Sequence, residues 1–227
     1  MVKFKRMNEI TEKILNLIYP QVCSICGKVG TKPLCNRCKV KLNKEFCFMM
    51  DDYKDDNSKN FVEHYYFFKY ENIIRSQLLS LKFKEKPYTY KTISYFLENK
   101  AKNFEKIKKY DIIIIVPISK KRLKERGYNQ SELIAKEISK ITSIKIEKNI
   151  LQKIKNNPPQ STLNKEERQN NAKGVYQIKN INKLQNKKIL IIDDIYTTGN
   201  TLNECARMLV ENNIDRKNIG VLTIAKD

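Results

Sequence analysis

The chain has 227 residues, enough to bury a substantial core as one domain or as one domain with a small module. A hydrophobic fraction of 41%, with 12 Tyr and 9 Phe, excludes a disordered polymer. The 45 Lys and Arg against 25 Asp and Glu leave a net charge of +20, a field that attracts phosphate polyanions. Lysine far outnumbers arginine, and enrichment in Lys, Asn and Ile also arises by compositional drift, so charge alone argues for no sequence-specific recognition.

The first twenty residues place Ile10, Ile14, Leu17 and Ile18 at helical spacing between charges, the pattern of an amphipathic helix packed on the body. No signal peptide and no uninterrupted apolar run of about 18 residues is present. A cytoplasmic location follows as the expectation, with cysteines reduced and available to metals.

Cys23 and Cys26 form one C-x-x-C pair and Cys35 and Cys38 a second, with eight residues between the pairs. Four thiolates in this arrangement close a tetrahedral shell around zinc with no position left for water, the pattern of a structural zinc ribbon. An iron–sulfur cluster would use the same ligands, and the pattern leaves open whether the ribbon touches DNA, a partner or its own chain. Cys47 and Cys205 read as buried residues without chemistry, and the single histidine, His64, falls at a strand start and reads as neither a ligand nor a base.

The polar stretch Asp51 to Asn60 reads as a linker, giving a helix and ribbon module over 1–50, a linker over 51–60 and a main domain over 61–227. In the main domain HYYFFKY reads as a strand. Helical stretches follow around Ile73 to Leu81 and, beyond Pro87, from Thr89 to Lys102. DIIIIVP (111–117), KKILIIDD (187–194) and NIGVLTIA (218–225) are apolar, β-branched runs suited to strands buried on both faces of a parallel sheet. Helices are expected over 129–140 and 202–212. Strand–helix alternation predicts an α/β fold with its ligand at the carboxyl ends of the strands.

Two loops lie at such ends. In ILIIDDIYTTGNT (189–201), Asp193 and Asp194 emerge together, Thr197, Thr198 and Gly199 turn the chain, and Thr201 with Glu204 makes a T-x-x-E capping box for the next helix. Adjacent carboxylates accept from a diol, and a small-residue loop at a helix N-terminus suits a phosphate, so the pair fits a sugar phosphate. Direct Mg²⁺ binding or simple capping would use the same acids, and on an extended strand one aspartate of the pair faces away from the other. After the first apolar strand, Lys120, Lys121, Arg122, Lys124 and Arg126 form either an anion site or a solvated basic face. Residues 156–171, with Pro158 and Pro159, read as a surface loop able to shield a reacting sugar from water.

Four blocks in order, IYPQVCSICG, VPISKKRLKERGYNQSELIA, NPPQSTLNKEERQNNAKGVY and DDIYTTGNT, resemble the ComF family of competence-associated proteins, and the resemblance covers nearly the whole chain. It implies a small N-terminal zinc ribbon followed by a type I phosphoribosyltransferase-like parallel-sheet domain with a hood. It assigns Asp193 and Asp194 to the ribose hydroxyls of phosphoribosyl pyrophosphate (PRPP), and Thr197, Thr198, Gly199, Asn200 and Thr201 to its 5′-phosphate. Ile118 to Arg122, with Lys120, Lys121 and Arg122, would face the pyrophosphate. Arg126 to Gln130 match an R-G-aromatic-N-Q motif, and Pro159, Gln160, Leu163, Arg168 and Asn171 match the hood; Asn157 departs from the Thr common there. The implied cofactors are structural zinc and Mg²⁺ carried with PRPP.

The implied partners are single-stranded DNA and a ComFA-type DNA helicase. Uptake and handling of single-stranded transforming DNA is therefore the expected function, with phosphoribosyl transfer to an unidentified acceptor as the alternative. No catalytic residue identifies itself. Amidotransfer is not expected, since it uses a near-N-terminal cysteine nucleophile on a large glutaminase domain and this sequence opens Met1, Val2, Lys3.

Overall fold

The computed structural model describes residues 21–83, 88–154 and 174–227. The expected N-terminal helix and the hood residues Asn157, Pro159, Gln160, Leu163, Arg168 and Asn171 lie outside them, as does Pro87.

In chain order, the hairpin β1 (Gln21–Val22) and β2 (Val29–Gly30) precedes α1 (Asn36–Glu45) and β3 (Phe46–Asp52). Then come β4 (Glu63–Lys69), α2 (Asn72–Lys82), α3 (Thr89–Glu98) and a 3₁₀ turn over Ala101–Ile107. The second half runs β5 (Ile112–Ile115), α4 (Lys120–Arg126), α5 (Gln130–Thr142), β6 (Lys145–Ile146) and β7 (Leu151–Lys153). It closes with β8 (Tyr176–Ile178), β9 (Ile189–Tyr196), α6 (Asn200–Val210) and β10 (Ile219–Lys226).

Six strands form one sheet in the order β3-β4-β10-β9-β5-β6, parallel throughout except for β3, which pairs antiparallel with β4. Ile189, Leu190, Ile191 and Ile192 of β9 are wholly buried, because the strand runs mid-sheet with apolar layers on both faces. On one face Leu190 and Ile192 meet Leu78, Phe96, Ile134 and Ile138 from the helices. On the other, Ile189 and Ile191 meet Leu202, Cys205 and Leu209 of α6 and Tyr176 of β8. Each such aliphatic side chain is worth about 1.5–3 kcal/mol of burial, which fixes β9 as the axis of the fold.

The ribbon is built into this core. Cys23, Leu34, Cys38 and Leu42 belong to the same apolar cluster as Phe67, Leu78 and Phe96. Two polar ties reinforce the contact: Ser24 Oγ donates to Gln77 on α2, and Thr92 Oγ1 on α3 donates to Pro33 O at 2.6 Å. The stretch read as a linker begins inside the sheet, since Asp51 and Asp52 end β3, opposite His64 and Glu63. Phe46 and Phe48 carry β3 there by packing on Tyr65, Phe67 and Phe68, so aromatic burial overrides the polarity of the strand's end.

The crossover after β5 leads outward to β6, and the crossover after β9 leads the opposite way to β10. The adjacent carboxyl ends of β5 and β9 are therefore a topological switch point, where a parallel α/β sheet opens a crevice.

Candidate functional site

The crevice is floored by the two aspartates. β9 runs two residues beyond Asp194 before the turn, so both carboxylates sit on the last part of the strand, half-buried. Asp193 accepts from Ser131 Oγ at 2.8 Å and from the Asp194 N–H at 2.9 Å, while Asp194 accepts from the Ile195 N–H at 2.9 Å and from Gln130 Nε2 at 3.4 Å. Gln130 and Ser131 open α5, whose N-cap Asn129 accepts from the Ser131 N–H at 3.0 Å and donates to Val116 O at 2.9 Å. The R-G-Y-N-Q-S segment thus ties the end of β5 to the acids of β9. Gly127 enables the turn with φ 83° at the end of α4, and Tyr128 anchors it by donating to Leu81 O on α2 at 2.5 Å.

Burial pushes the Asp193 carboxyl up to about 8, and the Asp194 charge adds to the rise while the Ser131 hydroxyl offsets part of it. Burial raises Asp194 as well, against the pull of the Lys82 and Arg126 charges. Two like charges share a partly dehydrated floor, so the pair retains a proton near neutral pH until a ligand compensates it.

Beyond the acids, Tyr196 lies buried against His64, with ring centroids 4.3 Å apart. Its ring supports the turn: a Cβ on Gly199 would fall onto the Tyr196 ring, and Gly199 has φ 73°, so this position requires glycine. Gly199 is the N-cap of α6 and supplies no side-chain bond; Thr198 Oγ1 comes only within 3.5 Å of the Asn200 N–H. The expected capping box does not form. Thr201 lies inside the first turn, and Glu204 instead pairs with Arg207 through two 2.8 Å bonds, because a guanidinium three residues on offers a charged partner. Apart from this long Thr198 contact, the first N–H groups of this 11-residue helix keep no side-chain cap among the described residues, beside the exposed Thr197 and Thr198.

The basic segment differs from its expected loop. Lys120, Lys121 and Arg122 begin the helix α4, capped by Ser119 Oγ, which accepts from the Arg122 N–H at 3.2 Å. Lys120, Lys121, Arg122 and Lys124 are exposed, whereas Arg126 is half-buried near Asp194, its pKa lowered by burial. From the opposite side the two-stranded hairpin β7–β8 contributes Lys153, half-buried, with its ammonium 5.7 Å from the Tyr176 ring centroid. Burial lowers the Lys153 pKa, the Arg122 charge lowers it further, and Asp193 acts the other way. Among the described residues neither Arg126 nor Lys153 has an ion-pair partner within 4 Å. The sequence reading missed Lys153 and Ser131: Lys153 lies outside the motif strings that carry the resemblance, and Ser131 lies within one but directly after the R-G-aromatic-N-Q motif.

In the ribbon the four cysteine sulfurs all lie within 4.8 Å of one another. Cys26 and Cys35 sulfurs are 3.7 Å apart, against roughly 3.8 Å for two sulfurs of a zinc tetrahedron with 2.3 Å bonds. The Cys38 N–H stands against Cys35, the N-cap of α1, and holds its thiol down at about 7, favouring the thiolate. The donor set fits a zinc ion, and it is the sole group of three or more ligating side chains gathered so closely among the described residues. Cys205, on α6, is buried beside Tyr176. No helix among the described residues is long and apolar enough to cross a membrane.

Comparison with known proteins matches residues 100–226 to the phosphoribosyl transferase domain family. The chain is 31% identical over 116 residues to competence protein F of Haemophilus influenzae, covering 51% of each chain. It is 27% identical over 200 residues to competence protein ComFC of Bacillus subtilis, covering 87% of this chain and 75% of that one. It is 28% identical over 102 residues to the DNA utilization protein YhgH of Escherichia coli, covering 45% of this chain and 44% of that one. The chain thus spans about half the length of the first and third of these relatives.

Proposed function

The chain belongs to the phosphoribosyl transferase domain family, and from that premise we propose that it is a competence-associated protein that handles single-stranded transforming DNA and holds PRPP at the β5–β9 crevice. The observation that carries the ligand is the acid pair, braced by Gln130 and Ser131 beside the uncapped start of α6. In this reading Asp193 and Asp194 accept from the ribose hydroxyls, and the N–H groups of Thr198 to Thr201 with the threonine hydroxyls bind the 5′-phosphate. Lys120, Lys121, Arg122 and Arg126 compensate the pyrophosphate. The resemblance adds Gln160 and Arg168, of the hood segment outside the described residues, as further candidates for ligand contact. Two carboxylates are too few to hold a metal by themselves, and Mg²⁺, arriving with the pyrophosphate, would supply further charge neutralisation.

The relatives' names, competence protein and DNA utilization protein, support the DNA role, as does the net charge of +20. The same reading places the protein in the cytoplasm, with a ComFA-type helicase as partner and a zinc ion on Cys23, Cys26, Cys35 and Cys38. The alternative, phosphoribosyl transfer to an acceptor, is favoured by the half-buried Arg126 and Lys153 beside the acids, where charge on a departing pyrophosphate would be met.

Calorimetry with PRPP and Mg²⁺ tests the pocket: wild type binds, and Asp193→Asn with Asp194→Asn does not. Equal affinity in the double variant sinks the assignment. Transformation by the same variant then asks whether the pocket serves DNA uptake, and pyrophosphate release would mark turnover.

A further inference from the structure

The single histidine of the chain, His64, is wholly buried on β4, so it reaches no ligand in the crevice by contact. Two polar and two aromatic contacts hold its ring. Nε2 lies 2.8 Å from Thr223 Oγ1 on β10, and Nδ1 faces Asp51 Oδ2 on β3 at 3.6 Å. A carboxylate only accepts, so the proton belongs on Nδ1 and the Thr223 hydroxyl donates to Nε2. The ring stacks on Tyr196, with centroids 4.3 Å apart and planes 23° from parallel, and the Tyr66 ring lies 5.3 Å away. Lys226 closes the group, pairing with Asp51 at 2.7 Å while its ammonium lies over the Tyr66 and Tyr196 rings. Burial lowers the His64 pKa against the pull of Asp51, and Lys226 lowers it further, so the imidazole is neutral at neutral pH.

An apolar ring would fill the same space without the cost of burying two nitrogens. What the imidazole adds is a fixed plane, because Thr223 and Asp51 hold its two nitrogens from different strands. Thr223 is also the register partner of Asp193, so the anchor stands level with the acid pair. The Tyr196 backbone is pinned by the Asp227 N–H, which donates to its carbonyl at 2.9 Å, and the Tyr196 ring rests on His64. Gly199 stands against that ring so closely that a Cβ would collide with it, and Gly199 is the N-cap of α6.

We infer that His64 is a positioning residue for the turn over Thr197, Thr198 and Gly199: through the Tyr196 ring it sets where the first N–H groups of α6 stand. The contact order is Thr223 and Asp51 to His64, His64 to Tyr196, and Tyr196 to Gly199. It ends at the turn and does not include the basic helix α4. The ligand met by those N–H groups rests on the ribose-phosphate reading of the crevice; the hold of His64 on the turn does not. Loss of the ring therefore weakens one end of the ligand and spares the other.

Thr198–Gly199 is the only Thr–Gly pair in the sequence, so labelling threonine carbonyl carbon and glycine nitrogen gives one amide signal that reports the turn. Arg126–Gly127, the only Arg–Gly pair, gives a control signal from the far side of the crevice in the same way. In the full-length protein, His64→Leu should shift the Gly199 signal and leave that of Gly127 in place. By calorimetry it should weaken ribose 5-phosphate about three- to tenfold, the effect of one lost aromatic pair, with inorganic pyrophosphate and Mg²⁺ unchanged. His64→Phe should keep both the Gly199 signal and ribose 5-phosphate near wild type. Both variants remove the contacts to Thr223 and Asp51, so the contrast between them reports the ring. Thr223→Val, which frees the ring at constant volume, should shift the Gly199 signal by less than His64→Leu does. A Gly199 signal unmoved by His64→Leu or by Thr223→Val overturns the inference, as does equal weakening of ribose 5-phosphate and pyrophosphate. A wild type that ignores ribose 5-phosphate while its Gly199 signal follows His64 refutes the crevice assignment and keeps His64 as the residue that sets the turn.

Discussion

Replacing Asp193 by Asn should stabilise the protein while removing its ligand. The Asp193 carboxyl is raised from the usual 3.8 to about 8, because the fold half-buries it beside Asp194. Below pH 3.8 both folded and unfolded chains hold the proton, and there is no penalty. As pH climbs toward 8 the unfolded chain ionises freely while the folded one resists, so wild-type stability is lost progressively across that window. Between 3.8 and pH 7 the full shift corresponds to about 4 kcal/mol at 1.36 kcal/mol per pH unit. Solvent access to the half-buried pair reduces this to about 2 kcal/mol. Asparagine retains an oxygen to accept from Ser131 Oγ and the Asp194 N–H, and carries no charge to repel Asp194. For a chain of this size the gain is about 4–8 °C in melting temperature at pH 7. Melting curves for both proteins from pH 4 to pH 8 check it, since their difference cancels the titration of groups that Asp193 does not touch and leaves that of the Asp193–Asp194 pair. An asparagine variant no more stable at pH 7.5, or an advantage that persists unchanged at pH 4, refutes the reasoning.

Gly199→Ala should lower stability by about 1–3 kcal/mol and abolish PRPP binding, since a Cβ meets the Tyr196 ring at positive φ. Gly127→Ala, with φ 83° but open space around its Cβ, should cost about 1 kcal/mol; equal losses by urea denaturation would discount the Tyr196 contact. Lys153→Ala should weaken PRPP at least tenfold by calorimetry, and wild-type affinity should fall at a lower pH than an unperturbed lysine would give; Lys153→Arg should remove that pH dependence. Affinity for a single-stranded oligonucleotide should fall with salt at a slope of roughly −0.7 per phosphate contact, and a flat response would assign the +20 charge to drift.

The parts of this site legible in the sequence are those encoded locally. Ile189 to Ile192 announce a strand buried on both faces by composition alone, and two acids followed by Thr197 to Gly199 mark its end. Where partners lie far apart in the chain, local reading fails. β3 joins the sheet through Phe46 and Phe48 packing on β4 about twenty residues later, which the charge of Asp51 and Asp52 conceals. Thr201 and Glu204 satisfy the capping pattern, yet Arg207 competes for the glutamate one turn on. The roles of Ser131 and Lys153 depend on a helix start and a hairpin converging on β9, and no spacing rule reports that convergence.

The ribbon's place in the core leads to one more expected outcome. Cys23 and Cys38 share an apolar cluster with Leu78 of α2, and Ser24 bonds Gln77 on the same helix. One turn further along α2, Leu81 O receives the Tyr128 hydroxyl, and Lys82 contributes the positive charge nearest in effect to Asp194. Tyr128 belongs to the turn that sets Gln130 and Ser131 against the acids. The four-cysteine cluster therefore braces the helix that braces the pocket, although the cysteines are remote from it in sequence. Chelation, or Cys35→Ser, should weaken PRPP affinity at temperatures where the sheet is still folded, and should lower a single melting transition by about 10 °C or more. An early, separate transition with unchanged PRPP affinity would mean that the ribbon folds on its own and that α2 holds the Tyr128 turn without it. Restoration of affinity on adding zinc back separates bracing from irreversible damage, because a structural metal acts through the fold it completes.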